Sequence, residues 1–122
     1  MIIAADVLAF VFDGKELIWL DKEIKRWPAV SGPHGKGELP TGGYTILPAV
    51  PLSGIPTNDA YRDKAGNCWF APIRPQFKTE RTSLGIHPDG NVPGTLGCIG
   101  LTQDDTKEVM ELLQLPGVLF VV

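Results

Sequence analysis

The sequence predicts a mainly β domain, a β-sandwich or barrel with one short helix near the C-terminus. The first observation is that Gly and Pro supply 14 and 11 of the 122 residues, which without a repeat period favours short strands joined by many turns. The second is that 43% of the residues are hydrophobic, enough to form a core. The third is that helical periodicity is confined to one segment after residue 101. The length suits a single domain over residues 1–122.

The N-terminal part of the chain predicts three strands. A β-branched and aromatic run at Val7–Phe12 precedes Asp13-Gly14, a pair typical of hairpin turns, so Leu17–Leu20 is predicted as the return strand. Ile24–Val30 is predicted as the third strand. Pro28 lies within it and predicts that the strand lies at an edge of the sheet or ends at that residue, because proline donates no hydrogen bond to a neighbouring strand.

The rest of the chain predicts an irregular loop, short strands and the helix. Glycine and proline make the loop at residues 31–43 irregular. The helix is predicted to begin at Thr102, a capping residue with Asp105 three positions on, and to end at Pro116-Gly117. Its buried face, at i, i+3 and i+4 spacing, holds Val109, Leu112 and Leu113. The predicted strands are Tyr44–Leu47, Cys68–Ala71, Phe77–Glu80, Leu84–His87 and Val118–Val122.

The charge pattern argues against nucleic-acid and membrane partners. The formal net charge is -3 and the 11 Lys and Arg residues are scattered, whereas a nucleic-acid surface needs a basic patch or stripe. The apolar N-terminus has no basic region, is interrupted by Asp6 and ends at Asp13, so it predicts neither a signal peptide nor a membrane span. We therefore expect synthesis in the cytoplasm without a signal peptide. We also expect a monomer.

The two cysteines and two histidines are the candidates for a disulfide or a metal site. A Cys68–Cys98 disulfide is disfavoured because cytoplasmic proteins rarely keep one. A zinc site formed by His34, Cys68, His87 and Cys98 is disfavoured as well, since their spacings contain no close Cys or His pair. We expect neither a metal nor a cofactor.

Cys98 and His87 form a candidate catalytic pair. A histidine beside a cysteine can take the thiol proton and return it to the leaving group, and a single loop separates the two residues. Glycines on both sides of the cysteine allow tight turns that point N–H groups at an oxyanion. The predicted helix start at Thr102 adds a field that favours negative charge. The alternative is that Cys98 is a small buried hydrophobe.

Two separated motifs resemble the YkuD-type L,D-transpeptidase catalytic domain. The first is Ser31-Gly32 followed by residues 39–46, LPTGGYTI, which is similar to that family's S-G…T-P-x-G-x-[FY]-x-I stretch. The second is His87 followed by residues 95–101, TLGCIGL, which is similar to the family's histidine and its Ser/Thr-His-Gly-Cys-Ile/Val-Arg signature. The resemblance runs from Val30 to Leu101 and implies the L,D-transpeptidase (YkuD)-like β fold.

The resemblance also implies an activity and its residues. The activity is cysteine-dependent acyl transfer on peptidoglycan stem peptides through a thioester acyl-enzyme. The catalytic residues that it implies are Cys98 as nucleophile, His87 as base, Gly97 and Thr95. The substrate-binding residues that it implies are Arg81, Tyr44 and Leu96. Backbone N–H groups near the cysteine would stabilise the oxyanion, and the group that orients the histidine stays open among Thr95, Asp89 and a backbone carbonyl.

Two residues depart from the family's pattern. Leu96 replaces a histidine and Gly100 replaces an arginine, so the residue that holds a substrate carboxylate stays open between Arg81 and Arg74, whose guanidinium groups suit carboxylates. The short interval between the histidine and the cysteine is similar to compact variants in phage proteins and secreted antibacterial effectors. Such a protein would act at the bacterial cell wall or periplasm after lysis, phage delivery or secretion without a signal peptide.

Several functions are compatible with this resemblance. Transfer of the acyl group to an amine is transpeptidation, and transfer to water is peptidase or carboxypeptidase action. The alternative from another class is a catalytically inactive cell-wall-binding or virion structural module, motivated by the two departures. A further alternative is a toxin that consumes a cytoplasmic metabolite through the same pair. Fast alkylation of Cys98 near neutral pH would favour an enzyme over a structural module.

Overall fold

The computed structural model describes residues 8–21, 23–35, 37–52, 56–90, 94–95 and 97–122. Strands supply most of the regular structure in these ranges. They are β1 (Leu8–Phe12), β2 (Glu16–Leu20), β3 (Lys25–Ser31), β4 (Gly42–Ile46), β5 (Val50–Pro51), β6 (Trp69–Pro75), β7 (Gly85–Pro88), β8 (Ile99–Leu101) and β9 (Gly117–Val121). The helical elements are α1 (Lys107–Leu112) and a 3₁₀-helix (Pro56–Tyr61).

Eight of the nine described strands close into a barrel. They follow the order β4-β9-β1-β2-β3-β8-β7-β6, and β6 pairs with β4 to complete the ring. The strands β1 and β9 are parallel, as are β7 and β8, whereas β5 lies outside the ring beside β6. The closed β-barrel with one short α-helix confirms the predicted fold class.

Side chains that alternate along the strands fill the barrel. Phe10 and Phe12 of β1 are buried, and Leu119 and Val121 of the parallel strand β9 are buried beside them. This two-residue period is the one that a strand with one buried face requires. The predicted strands at the two ends of the chain therefore become neighbours, which brings the N- and C-terminal parts of the barrel together.

Pro28 lies inside a strand that is paired on both sides, so the predicted edge position is wrong. β3 pairs with β2 through Lys25–Pro28 and with β8 through Ala29–Ser31. Pro28 is the residue at which the strand changes partner. It is the last residue paired with β2, opposite Glu16, and Ala29 is the first residue paired with β8, so the missing N–H of the proline falls where one ladder ends and the other begins. The strand does not end there but continues to Ser31.

The helix begins at Lys107, later than the predicted start at Thr102. Thr102 donates its N–H to a carbonyl of β3 and so belongs to the segment that follows β8. The capping residue is Thr106, whose N–H and hydroxyl both donate to the Asp63 carboxylate, at 2.7 and 2.8 Å. A cap supplied from so far along the chain leaves no local pattern. The prediction that the helix begins at Thr102, where its dipole would favour negative charge near the nucleophile, is therefore wrong.

The remaining differences concern short segments. Residues 77–80 are not a strand, and the Phe77 ring packs edge-on against Tyr44 with centroids 5.3 Å apart. The strands β5 and β8 are absent from the sequence-based expectation, because two or three residues cannot display a period. The 3₁₀-helix begins in a segment that the sequence predicts as a proline-rich connection. Val7, the predicted start of the first strand, lies outside the described residues. Within the described ranges, no helix has the length and apolar character needed to cross a membrane.

Candidate active site

Two parallel strands bring His87 and Cys98 to one face of the sheet. His87 lies on β7 opposite Gly100 of β8, and Cys98 immediately precedes β8, in the position opposite Gly85. Residues two apart on a strand point to the same face. The histidine and the cysteine are therefore diagonal neighbours, and the residue opposite each of them is a glycine that has no side chain.

Both side chains line one cavity of about 620 Å³. Tyr61 of the 3₁₀-helix and residues 80–84 also line this cavity. Arg81 and Asp89 also line it, so charged groups of both signs surround the candidate pair. The cavity is large enough for part of a peptide substrate.

His87 is held in the form that can act as a base. The side chain is 5% exposed, and its Nδ1 lies 2.6 Å from the carbonyl oxygen of Pro88. A carbonyl only accepts, so Nδ1 must carry the proton, and Nε2 of the neutral ring is left as the acceptor. Burial lowers the pKa of His87 below its ordinary value, although the Pro88 carbonyl and the Asp89 charge act in the opposite direction.

The Cys98 thiol is half-buried and not part of a disulfide. Its Sγ lies 3.7 Å from the carbonyl oxygen of Ser83, to which the thiol donates. Burial raises the pKa of the Cys98 thiol, although the backbone of Gly85 and the positive charge of Arg81 lower it. Both shifts favour the neutral forms of the imidazole and the thiol.

Thr95 connects the two motifs that resemble the family. Its buried hydroxyl accepts the N–H of Gly32 at 3.0 Å and donates to the carbonyl of Cys98 at 2.7 Å. The backbones of Thr95 and Gly32 are bonded as well, at 2.8 Å. The Ser31-Gly32 motif and the cysteine motif, which are far apart in the sequence, are therefore one hydrogen-bonded unit.

Gly97 has the backbone conformation that the sequence predicts, but its N–H is engaged. Its φ is +123°, a value that favours glycine, and a Cβ there would lie 2.2 Å from Nη2 of Arg81. The Gly97 N–H donates to the Thr95 hydroxyl at 3.2 Å. In the free protein the Gly97 N–H therefore bonds within its own loop, whereas the sequence predicts it as one of the donors to an oxyanion.

The three predicted substrate-binding residues have different positions. Arg81 lines the cavity and donates to the carbonyl oxygens of Gly37 and Glu38, at 3.1 and 3.2 Å. Tyr44 is 1% exposed in the core and donates its hydroxyl to the carbonyl of Pro40 at 2.6 Å, and burial raises the pKa of Tyr44 to about 12. Any effect of Tyr44 on a substrate would act through that loop. Leu96 lies outside the described residues.

The arginine-to-glycine departure at Gly100 has a steric reason. A Cβ at this position would lie 2.8 Å from Cγ2 of Thr95 and 2.9 Å from Cβ of Asp89. Asp89 fills the space instead, and its carboxylate accepts the N–H of Gly94 at 3.0 Å. An arginine cannot be accommodated at this position without moving Asp89.

Other residues are at the site without a signal in the sequence. The Pro88 carbonyl and the Ser83 carbonyl are backbone groups, and Tyr61 comes from the 3₁₀-helix. No disulfide joins Cys68 and Cys98, and Cys68 is not among the described residues that line the cavity. In the described part of the chain, no cluster of three or more His, Cys, Asp or Glu side chains could hold a metal ion.

The closed barrel and the cysteine–histidine cavity define a candidate thiol-dependent enzyme. The chain belongs to the YkuD family, described as the L,D-transpeptidase catalytic domain, whose model matches residues 5–120. No curated protein matches the chain in sequence.

Solved structures show the same fold. L,D-transpeptidase 1 from Mycobacterium tuberculosis superposes with a TM-score of 0.59 at 18% identity, covering 95% of this chain and 62% of its own. An L,D-transpeptidase from Mycobacterium smegmatis gives 0.55 at 20% identity, covering 94% and 58%. The chain therefore spans about three fifths of the length of the structures that it matches.

Proposed function

We propose that this domain is a peptidoglycan L,D-transpeptidase-like enzyme in which Cys98 is the nucleophile and His87 the base. The observation that carries the proposal is the bond from Nδ1 of His87 to the Pro88 carbonyl. It fixes the tautomer whose Nε2 accepts a proton, in a cavity that the cysteine shares. The family membership and the resemblance of the motifs supply the substrate class.

The proposed reaction proceeds through a thioester. Nε2 of His87 takes the proton from the thiol as Sγ of Cys98 attacks the carbonyl carbon of a diamino-acid residue in a stem peptide. The tetrahedral intermediate collapses when the C–N bond breaks, and the imidazolium gives its proton to the departing amine. An amine acceptor or water then attacks the thioester and restores the thiol.

Electrostatics at the site favour this sequence of steps. Arg81 already lowers the pKa of the thiol through its positive charge, and the same charge would favour the oxyanion that forms at the attacked carbonyl. Arg81 is also the arginine that the cavity offers to a substrate carboxylate, because Gly100 leaves no arginine on β8. Arg74 lies on β6, on an exposed position opposite Thr45 and outside the described cavity lining.

The proposal includes where the enzyme acts. The proposed place of action is the bacterial cell wall or periplasm, which the enzyme would reach by lysis, by delivery with a phage particle or by secretion. The rival function is a cell-wall-binding or virion module of the same fold without catalysis. The base-form tautomer of His87 beside the thiol favours the enzyme, because a binding module needs neither.

Digestion of purified sacculi tests the proposal. The wild-type protein should alter the muropeptides found by mass spectrometry, Cys98→Ala should leave them unchanged while retaining the fold, and Cys68→Ala should behave as the wild type. Loss of a terminal D-alanine would identify a carboxypeptidase, cut cross-links an endopeptidase and new dimers a transpeptidase. Activity that survives in Cys98→Ala would disprove the assignment, and binding to sacculi without any product would favour the binding module.

A further inference from the structure

Two aromatic rings contact the imidazole of His87. The Phe70 ring stacks on it, with centroids 5.8 Å apart and planes 13° from parallel. The Tyr61 ring meets it edge-on, with centroids 4.7 Å apart and planes at 83°. The two aromatic rings also meet one another edge-on at 5.7 Å. The imidazole is therefore packed against rings from two different elements, β6 and the 3₁₀-helix.

Gly85 makes the place for the Phe70 ring. It precedes His87 by two residues on β7, so both residues face the same side of the sheet. A Cβ at Gly85 would lie 2.2 Å from Cζ of Phe70. The aromatic ring thus lies across the glycine and reaches the imidazole, an arrangement that any side chain at this position would prevent.

A second glycine fixes the element that carries Tyr61. The N–H of Gly90 donates to the carbonyl of Ala60 at 3.0 Å, and a Cβ at Gly90 would lie 2.0 Å from the carbonyl oxygen of Asp59. The end of the 3₁₀-helix is therefore held against the backbone that follows β7. Glycines on both sides of His87 bring the two aromatic residues close to it.

We propose that Phe70 and Tyr61 are positioning residues, which hold the His87 imidazole in place and exclude water from it. The inference rests on the proposed function, in which His87 is the base. Neither ring has to touch the reacting atoms. Their effect is exerted through the orientation of the imidazole and through the free-energy cost of charging it away from water.

The charges around His87 determine the direction of the effect. The titratable and charged groups that line the cavity with it are Glu80, Arg81, Asp89, Cys98, His34 and the Tyr61 hydroxyl. Burial lowers the pKa of His87 and outweighs the Pro88 carbonyl and the Asp89 charge, which raise it. Exposure of the His87 imidazole to water reduces the effect of burial and leaves the effects of the Pro88 carbonyl and the Asp89 charge. Loss of an aromatic ring should therefore raise the pKa of His87, so that the base is protonated at a higher pH.

Nuclear magnetic resonance of ¹³C-labelled histidine tests this without reference to activity. The chain has only two histidines, so His34 provides an internal comparison within each spectrum. Tyr61→Leu and Phe70→Leu should each raise the pKa of His87, whereas Tyr61→Phe keeps a ring and should leave it close to the wild-type value. Phe77→Leu is the matched control, because Phe77 is half-buried like Phe70 and packs against Tyr44.

The kinetic readout distinguishes positioning from general damage. In Tyr61→Leu and Phe70→Leu, activity should fall more at about pH 6 than at about pH 8, because the acid limb of the profile follows the base. An unchanged pKa of His87 in both folded Leu variants, or an equal loss of activity at both pH values, would overturn the proposal. If the wild type is inactive on sacculi but the pKa of His87 rises in the Leu variants, the aromatic contacts are supported and the proposed function fails.

Discussion

Nδ1 of His87 donates to the carbonyl of Pro88, the next residue in the chain, over 2.6 Å. The group that orients the candidate base is therefore a backbone atom of the same strand. Of the three groups that the sequence leaves open, Thr95 is instead bonded to the backbone around the cysteine, and Asp89 to Gly94. No side-chain substitution removes a backbone carbonyl. The neighbouring group that can be changed is the Asp89 carboxylate, whose charge acts on the pKa of His87.

Asp89→Asn should shift the pH profile and not abolish activity. The Asp89 charge raises the pKa of His87, so its removal should lower that pKa further and move the acid limb of kcat/KM to lower pH. The amide oxygen can still accept the Gly94 N–H. The test is to measure kcat/KM against pH for Asp89→Asn and for the exposed control Asp104→Asn. Loss of activity as complete as in Cys98→Ala would mean that the carboxylate itself orients His87.

Cys98 should alkylate slowly at neutral pH in the free protein. Burial raises the pKa of its thiol, and only the thiolate reacts. In a Cys68→Ala background, iodoacetamide should react with Cys98 more slowly at about pH 7 than with N-acetylcysteine, and faster as the pH rises. Fast reaction at neutral pH would instead indicate a preformed thiolate–imidazolium pair. Slow reaction at neutral pH would therefore be compatible with an enzyme whose thiol loses its proton only during the reaction.

Arg81→Gln should make that thiol less reactive still. Its positive charge lowers the pKa of Cys98, so the neutral variant should alkylate more slowly at about pH 8 and bind an anionic substrate with a higher KM. Arg74→Gln is the matched control, because Arg74 is exposed on β6. Equal alkylation rates in the two variants would contradict a role for Arg81 at the thiol.

Thr95→Val should disrupt the site although it keeps the shape of the side chain. The buried hydroxyl bonds the N–H groups of Gly32 and Gly97 and the carbonyl of Cys98, and leaving such groups unpaired costs about 1–3 kcal/mol. Urea unfolding should report that loss, with a decrease in kcat because the loop before the nucleophile is released. Thr95→Ser keeps the hydroxyl and should retain most of the stability and most of kcat. A Val variant as stable as the wild type would rule out this linking role.

Asp63→Ala should destabilise the fold by removing the group that bonds Thr106 and Asn67. The 8% exposed carboxylate accepts hydrogen bonds from the backbone and side chain of both Thr106 and Asn67, and losing bonds to a buried charge costs about 2–3 kcal/mol. Burial by itself raises the pKa of Asp63, but the hydrogen bonds from Asn67 and Thr106 outweigh it and lower the pKa.

The lowered pKa determines how this stability varies with pH. The Asp63 contribution is fully present above its unfolded pKa of about 3.9 and is lost as pH falls through the lower folded value. Urea unfolding between about pH 2 and pH 7 should show a smaller acid loss in Asp63→Ala than in the wild type. Asp104→Ala is the control, since Asp104 forms a solvent-exposed ion pair with Lys64. If the wild type and Asp63→Ala lost the same amount of stability on acidification, Asp63 would be excluded as the source of that loss.

The elements with a clear local period could be predicted from the sequence. Leu17–Leu20 lies within β2, and Val109 and Leu113 are buried on α1 as predicted. The errors concern features set by distant residues. The helix starts after Thr106 because Asp63 caps it, and Pro28 is tolerated because β3 changes partner there.

The sequence by itself determined the class of fold, the family resemblance and the candidate pair of Cys98 and His87. Those depend on residue types and on short spacings, which a sequence displays directly. Only the tertiary structure decided which nitrogen of His87 carries the proton, that Thr95 joins the two motifs, and that Phe70 and Tyr61 surround the base. The first depends on the local backbone geometry that places the Pro88 carbonyl against the neighbouring imidazole. The other two come from β-strand pairing and from glycines that admit a neighbouring ring, so their partners are brought together by closure of the barrel and not by proximity in the chain.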